Sequence, residues 1–310
     1  MIKILTIITT YNRPEKVFRL LNQFSYGFDH LSGTLDIYIA DDNPHSCLNE
    51  AIGSVDIPLN IRYHKNSINL GQGSNLIEAI SANSSKGYDY LWCPGDDDQI
   101  IPDSFIELLD KIISIQPSVA VLEFRQGPNL HTGTFFQSDI EQINQIDLAL
   151  TAICRFGKGT SSIFKYPDLN FLSYVNTFMS KSMYQDKALA SYAFLLGLLD
   201  YNYLLVHPRL TAFGDRDYGN LRYSTRVFSN LYPTIRDTLN YIYGKSWPVS
   251  PEVLKSAIGR SSPLWWWWWG IKAHLSSKIK YSTPKFYYEF FWGWFIAIWY
   301  ERVLKTFQPS

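Results

Sequence analysis

Three carboxylates stand side by side at Asp96, Asp97 and Asp98, in the stretch GDDDQIIPD that begins at Gly95. The apolar run YDYLWC, Tyr88 to Cys93, leads directly into it. Adjacent like charges at the tip of a buried strand repel one another, so the arrangement demands a positive charge. Carboxylates grouped in this way are hard oxygen ligands suited to Mg2+ or Mn2+. Mg2+ typically takes one or two of them and completes its shell with water and substrate phosphates. A metal held here would bridge the acids to a diphosphate and neutralise charge on a departing phosphate. The competing explanation is helix capping, because Asp is favoured at a helix start and Pro102 marks one. Capping accounts for Asp103 and for one member of the triplet, but three adjacent carboxylates exceed what it needs.

The elements that must position these acids follow from the apolar pattern. KILTIITTY (Lys3 to Tyr11) is β-branched and continuous, as in a strand buried on both faces. Pro14 then opens a helix in which Val17, Leu20, Leu21 and Phe24 follow helical spacing. LDIYIADDN (Leu35 to Asn43) and LNIRYHK (Leu59 to Lys65) read as the next strands, and GQGSNLIEAISA as a helix carrying Leu76, Ile77 and Ile80. The run into the acid triplet is a fourth strand. Pro102 starts a helix expected to face inward through Phe105, Ile106, Leu109 and Ile113, and VAVLEF (Val119 to Phe124) closes the series. Strands alternating with helices at this spacing imply a mostly parallel sheet flanked by helices, with ligands bound beyond the carboxyl ends of the strands.

The polar residues gather at those ends: Thr9 to Asn12, Asp41 to Asn43, and Asp96 to Asp98. An acid at a strand end suits a base or ribose, although ADDN alone also suits a plain turn. TTYN offers backbone amides and a Tyr ring for stacking. LGQGSN lacks the G-x-G-x-x-G dinucleotide pattern and follows the third strand rather than the first, so its glycines suit either a diphosphate or a simple turn.

Composition narrows the partners. Lys and Arg together number 28, equal to Asp plus Glu, so the overall charge does not point to nucleic acid. Cys47, Cys93 and Cys154 are widely spaced and odd in number, which suits a reducing compartment and gives no metal-finger spacing. MIKILTIITTYN begins at once as a strand, with Asn, Arg and Glu following too early for a signal peptide, and translocation is not expected.

TIITTYNRPEKV, IADDN, NLGQGSN and YLWCPGDDDQIIPDSF resemble, in order and spacing, the nucleotide-binding half of family 2 glycosyltransferases of the GT-A fold, over roughly residues 3 to 125. The resemblance implies an α/β catalytic domain over 1–220, with a nucleotide-sugar-binding half at 1–125 and an acceptor half at 126–220. A helical C-terminal region, 221–310, would follow. It implies donor contacts from Thr9, Tyr11, Asn12, Asp41, Gly71, Asn75, Asp96 and Asp97. The family's D-x-D motif, which binds metal and diphosphate, falls on the triplet. The register of DDD is ambiguous; Asp97 and Asp98 are the preferred metal pair, with Asp96 close behind and Mn2+ or Mg2+ as the ion.

GKGTSSIFK (Gly157 to Lys165) resembles the family's acceptor-side strand, and YQDKALASYAF (Tyr184 to Phe194) its "ED" helix start. By that match Asp186 is the catalytic base, although Gln185 replaces the usual acidic neighbour and an N-cap beside Lys187 is the alternative. His207 is the candidate for the family's late histidine metal ligand, arriving several residues early, with Asp215 and Asp217 nearer the expected place. The implied reaction is an inverting transfer of sugar from a nucleoside-diphosphate sugar, UDP-sugar favoured, to a hydroxyl of a glycan or lipid-linked acceptor. A nucleotidyltransferase would want a basic phosphate loop at the first strand, where TTYNRPE offers only Arg13. A catalytically silent sugar-nucleotide binder is the other alternative, and Gln185 keeps it open.

Eight of the ten Trp lie beyond Pro263, five of them consecutive at Trp265 to Trp269. From Lys245 onward nine Lys and Arg stand against three Glu. The longest apolar run there, Phe290 to Tyr300, falls short of the roughly 20 residues that cross a bilayer. Trp and Tyr prefer the headgroup interface, and flanking Lys and Arg suit anionic lipid. The expectation is an interfacial segment over about 263–306, holding the protein peripherally on the cytoplasmic face of the cell membrane. A dimer interface, packing on the catalytic domain and a re-entrant insertion are the other uses of such a surface.

Overall fold

The computed structural model describes residues 2–26, 34–53, 58–126, 162–181, 204–214 and 240. Its first strand, β1 (Ile4–Thr10), is buried along nearly its whole length, as its unbroken apolar and β-branched sequence requires. Pro14, with its fixed φ, opens α1 (Pro14–Ser25), whose buried Val17, Leu20, Leu21 and Phe24 form one stripe at i, i+3, i+4 and i+7. The chain continues through β2 (Leu35–Asp41), α2 (Leu48–Ile52), β3 (Asn60–Lys65), α3 (Gln72–Ser81) and β4 (Tyr90–Trp92). Then come β5 (Asp98–Ile100), α4 (Pro102–Ile115), β6 (Val119–Gln126), β7 (Ser162–Lys165), a helix here called α5 (Leu169–Lys181) and β8 (Leu204–Gly214).

The strands form one sheet in the order β3-β2-β1-β4-β7-β6-β8-β5. β1, β2, β3 and β4 are mutually parallel, as are β6 and β8. β7 runs antiparallel between β4 and β6, and β5 runs antiparallel to β8. The expected mostly parallel sheet is therefore present. The chain builds β1, β2 and β3 outward on one side and then places β4 on the other side of β1. That reversal opens a crevice at the carboxyl ends of β1 and β4, where sheets of this kind hold ligands.

Two details differ from the pattern expected of the sequence. The fourth strand ends at Trp92, and the acid run is a turn leading to β5 at the far edge of the sheet. Ile100 N donates to Gln23 Oε1 at 2.9 Å, drawing β5 back against α1. On α4 the buried residues are Phe105, Leu108, Leu109 and Ile112, whereas Ile106 and Ile113 are only partly buried. A stripe at i, i+3, i+4 and i+7 is narrower than the expected set and displaced to one side of it.

An aromatic group supports the acid turn from below. Trp92 packs on Phe105 with ring centroids 4.4 Å apart, and Phe24 meets both rings edge-on at 6.0 and 6.4 Å. Burying each Phe contributes about 1.5–3 kcal/mol, and edge-on contacts add to this. The strand before the acids and the helix after them are thus fixed by one cluster.

Candidate active site

Each strand end in the crevice carries polar groups, and the backbone dictates where they go. β1 pairs residue by residue with β2, setting Thr10 beside Asp41. Thr9 also forms a parallel bridge with Gly95, so β1 and the start of the acid turn stay in register beyond the end of β4. Tyr11 follows with 52% of its surface exposed, and Asn12 takes the left-handed conformation at φ 57°.

The acid turn is held from three directions. Thr10 Oγ1 donates to Asp96 Oδ2 at 2.7 Å, and Arg13 Nη1 donates to Asp96 Oδ1 at 3.1 Å. Arg13 Nη1 also lies 3.6 Å from Asp97 Oδ2, and Arg19 Nη2 donates to the Asp97 carbonyl at 3.1 Å. Gly95 N donates to Asp98 Oδ2 at 2.8 Å, while Asp98 N donates to the Gly95 carbonyl at 3.1 Å. Burial pushes the Asp96 carboxyl above the usual carboxylate value. Thr10 and Arg13 pull it back, and Asp97 pushes it up again.

Gly95 explains why a glycine stands there. A β-carbon at that position would lie 2.8 Å from Asp97 Oδ1 and 3.0 Å from Asp98 Oδ2. Two carboxylate oxygens thus converge on one small space that any other residue would fill. Among the described residues no group of three His, Cys, Asp or Glu side chains is arranged to hold a metal. Two neighbouring carboxylates suit an Mg2+ or Mn2+ ion whose other ligands are water and phosphate. The donor set fits such an ion.

The β2 end is built differently. Asp42 Oδ1 accepts from Asn66 Nδ2 at 2.9 Å and from Leu70 N at 2.8 Å, and Asp42 Oδ2 accepts from Gly71 N at 2.6 Å. Asn66 Nδ2 also donates to Asn75 Oδ1 at 2.9 Å, and Asn75 Nδ2 donates to the Ala40 carbonyl at 2.9 Å. This network fixes the entry to α3, where Gly71 sits at φ 76°, a conformation that favours glycine. Asp41 Oδ1 accepts from Asn43 N at 3.0 Å, and Asp41 Oδ2 accepts from the Tyr63 hydroxyl at 2.9 Å. Burial is the main reason that the Tyr63 hydroxyl is pushed up to about 12; Ser46 pulls it down and Asp41 pushes it further up.

A profile of glycosyl transferase family 2 matches residues 6–186, more than half of the chain. The chain belongs to this family. Among solved structures it is similar to S. aureus TarS 1–349 in complex with UDP (TM-score 0.58, 13% identity, 84% of this chain and 71% of that one). The same TarS fragment with UDP-GlcNAc gives TM-score 0.58 and 13% identity over 84% of this chain and 72% of that one. The mannosyltransferase PcManGT from Pyrobaculum calidifontis, in complex with GDP-Man and Mn2+, gives TM-score 0.53 and 12% identity over 98% of this chain and 83% of that one. No curated protein sequence matches. At such identities the likeness is one of fold, and the fold is GT-A.

The glycosyltransferase brings most of the expected site residues to one crevice: Thr9, Tyr11 and Asn12 after β1, Asp41 at the end of β2, Gly71 and Asn75 at α3, and the triplet after β4. Asn75 lies in the network beneath, with both ends of its amide bonded. His207 lies apart from this group, farther back along β8. It pairs with Leu122 on β6, whereas Gly214, the β8 partner of Asp98, pairs with Gln126; four residues of β6, on the order of 13 Å, separate the two positions. Its ring is buried, with Nδ1 3.2 Å from Thr211 Oγ1 and Nε2 3.9 Å from Glu107 Oε1 on α4. Asp186, Asp215, Asp217, the boundary near residue 220 and the Trp-rich segment lie outside the described residues.

Sequence reasoning missed Arg13 and Arg19, whose partners lie 83 and 78 residues away. The available signal was that Arg13 occupies the loop between β1 and Pro14, on the side of the sheet where ligands bind. Asn66 was missed too, since a lone Asn after a strand carries no pattern.

Proposed function

We propose that this glycosyltransferase moves a sugar from a nucleoside-diphosphate sugar, UDP-sugar favoured, to a hydroxyl of a glycan or lipid-linked acceptor, in a single displacement that inverts the anomeric centre. One observation carries the reading: the Asp97 and Asp98 oxygens converge beside Gly95, beyond the carboxyl ends of β1 and β4. The nucleotides and Mn2+ bound by TarS and PcManGT support the same donor class.

In this reading Tyr11 offers its exposed ring to the base, with Thr9, Asn12 and Asp41 around the nucleoside. Gly71 leaves room for the diphosphate at the start of α3, and Asn75 keeps that helix entry in place. Asp96, tied to Thr10 and Arg13, holds the turn in shape on the donor side. Asp97 and Asp98 hold Mn2+ or Mg2+, which when bound supplies charge neutralisation to the departing diphosphate. Asp186 takes the proton from the acceptor hydroxyl as it attacks the face opposite the leaving group. Positioning and electrostatics supply most of the rate, and the base about 10²–10⁴-fold. The Trp-rich segment, about 263–306, rests on the membrane surface and brings the domain to a lipid-linked acceptor at the cytoplasmic face. Among the described residues no helix is long and apolar enough to cross a membrane.

The test is release of nucleoside diphosphate from a panel of nucleotide sugars, with Mn2+ or with chelator. Metal-dependent release is expected, and Asp186→Asn should lower transfer roughly 10²-fold or more while donor affinity survives. Full transfer by Asp186→Asn would move the base elsewhere, and no release from any nucleotide sugar would remove the donor class.

A further inference from the structure

The acid turn already has a cation. Arg13 Nη1 lies 3.1 Å from Asp96 Oδ1 and 3.6 Å from Asp97 Oδ2, so one guanidinium spans two of the three carboxylates. The backbone is built to aim it there. Asn12, directly before it, sits at φ 57°, where most non-glycine residues are strained and Asn is among the few that tolerate it. The Arg13 carbonyl then accepts from Lys16 N and Val17 N, which ties its main chain to the first turn of α1.

Its side chain is less confined than its main chain. Arg13 is 43% exposed, against 7% for the Asp96 side chain it touches. The turn also has bonds of its own that do not pass through Arg13. Asp96 is held by Thr10 Oγ1, Asp98 by Gly95 N, and the Asp97 carbonyl by Arg19. A guanidinium that swung toward solvent would leave the shape of the turn intact and expose Asp97, the most accessible carboxylate of the three.

We propose that Arg13 is a placeholder cation: it neutralises Asp96 and Asp97 before metal loading and competes with the divalent ion for Asp97. This rests on the reading of Asp97 and Asp98 as the metal carboxylates. The physical basis is like-charge repulsion. A divalent ion on Asp97 and a guanidinium 3.6 Å from the same carboxylate cannot both be held at full strength. The half-exposed Arg13 is the partner that yields, and loading displaces it toward solvent. Arg13 thereby supplies the positive charge that three adjacent acids require while no metal is present.

The experiment measures Mn2+ binding to the full chain without nucleotide, from the paramagnetic resonance signal of free Mn2+. Arg13→Gln keeps a polar, unbranched side chain, shorter than that of Arg, but removes its charge, and should bind Mn2+ about 2–5-fold more tightly than wild type, the size expected of an exposed charge pair. Arg13→Lys should stay close to wild type, and the gain in Arg13→Gln should shrink at high salt. Thermal melting without metal should change little in Arg13→Gln, because the other bonds hold the turn. Unchanged or weaker Mn2+ binding in Arg13→Gln, with Asp97→Asn still impaired, would overturn the placeholder role and leave the metal reading standing. A large fall in melting temperature would overturn it too, showing Arg13 to be structural. Wild-type Mn2+ binding by Asp97→Asn would instead remove the metal reading and this proposal with it.

Discussion

Two strand ends in this molecule carry adjacent aspartates, and they are used in opposite ways. After β2, Asp42 is surrounded by neutral donors: Asn66 Nδ2, Leu70 N and Gly71 N fill its oxygens. After β4, the acids crowd one another, two arginines and the bare backbone of Gly95. The first corner is a closed network whose product is shape. The second gathers three carboxylates, with a guanidinium beside two of them. Adjacent carboxylates are therefore not in themselves a sign of chemistry; how their lone pairs are already occupied decides between scaffold and site.

The contrast predicts a large stability effect at the closed corner. Asp42→Ala removes the acceptor shared by Asn66 Nδ2, Leu70 N and Gly71 N, although Asn66 Nδ2 keeps Asn75 Oδ1 and Gly71 N keeps Asn69 Oδ1. It should cost about 2 kcal/mol in urea unfolding. A loss under about 1 kcal/mol would mean that the β2 corner is not the scaffold described. Gly95→Ala sharpens the other side. Its new methyl group would press on Asp97 Oδ1 and Asp98 Oδ2, both at side-chain ends. Asp97 can move aside, so stability should fall by only about 1 kcal/mol or less. Mn2+ affinity should weaken several-fold, and unchanged affinity would show that the space over Gly95 is not where the ion sits.

A smaller effect separates the core beneath both corners from the crevice. Burial pushes the Tyr90 hydroxyl up to about 12, with the Asp89 charge adding to it, and this hydroxyl donates to the Pro117 carbonyl at 2.6 Å. The unfolded chain releases that proton near 10, so the folded state binds it more tightly. The contribution is complete below about pH 10 and is lost as pH rises toward 12. Tyr90→Phe should therefore flatten part of the decline in stability between those pH values, measured by urea titration. An identical alkaline slope in both proteins would contradict the burial argument.

Much of this arrangement was legible in the chain. Pro14 and the Val17-Leu20-Leu21-Phe24 stripe gave α1, and continuous apolar runs gave β1 and β2, with Asp41 at the end of β2. Strand order was not. Strands buried on both faces have no alternation to mark their neighbours, so nothing local revealed β7 between β4 and β6 or β5 beside β8. The pairing of Arg13 with Asp96 depends on that order and was hidden with it. The position of His207 was hidden too: it depends on the bulged register of β8 against β6, which no local pattern reveals.

The acid turn as the reactive corner is tested most directly by Asp97→Asn. This substitution keeps size and removes one charged oxygen from the space over Gly95, on a partly exposed side chain. Mn2+-dependent release of nucleoside diphosphate should fall roughly 10²-fold or more at limiting Mn2+, with urea stability within about 0.5 kcal/mol of wild type. Wild-type release at limiting Mn2+ by a stably folded Asp97→Asn protein would contradict the assignment.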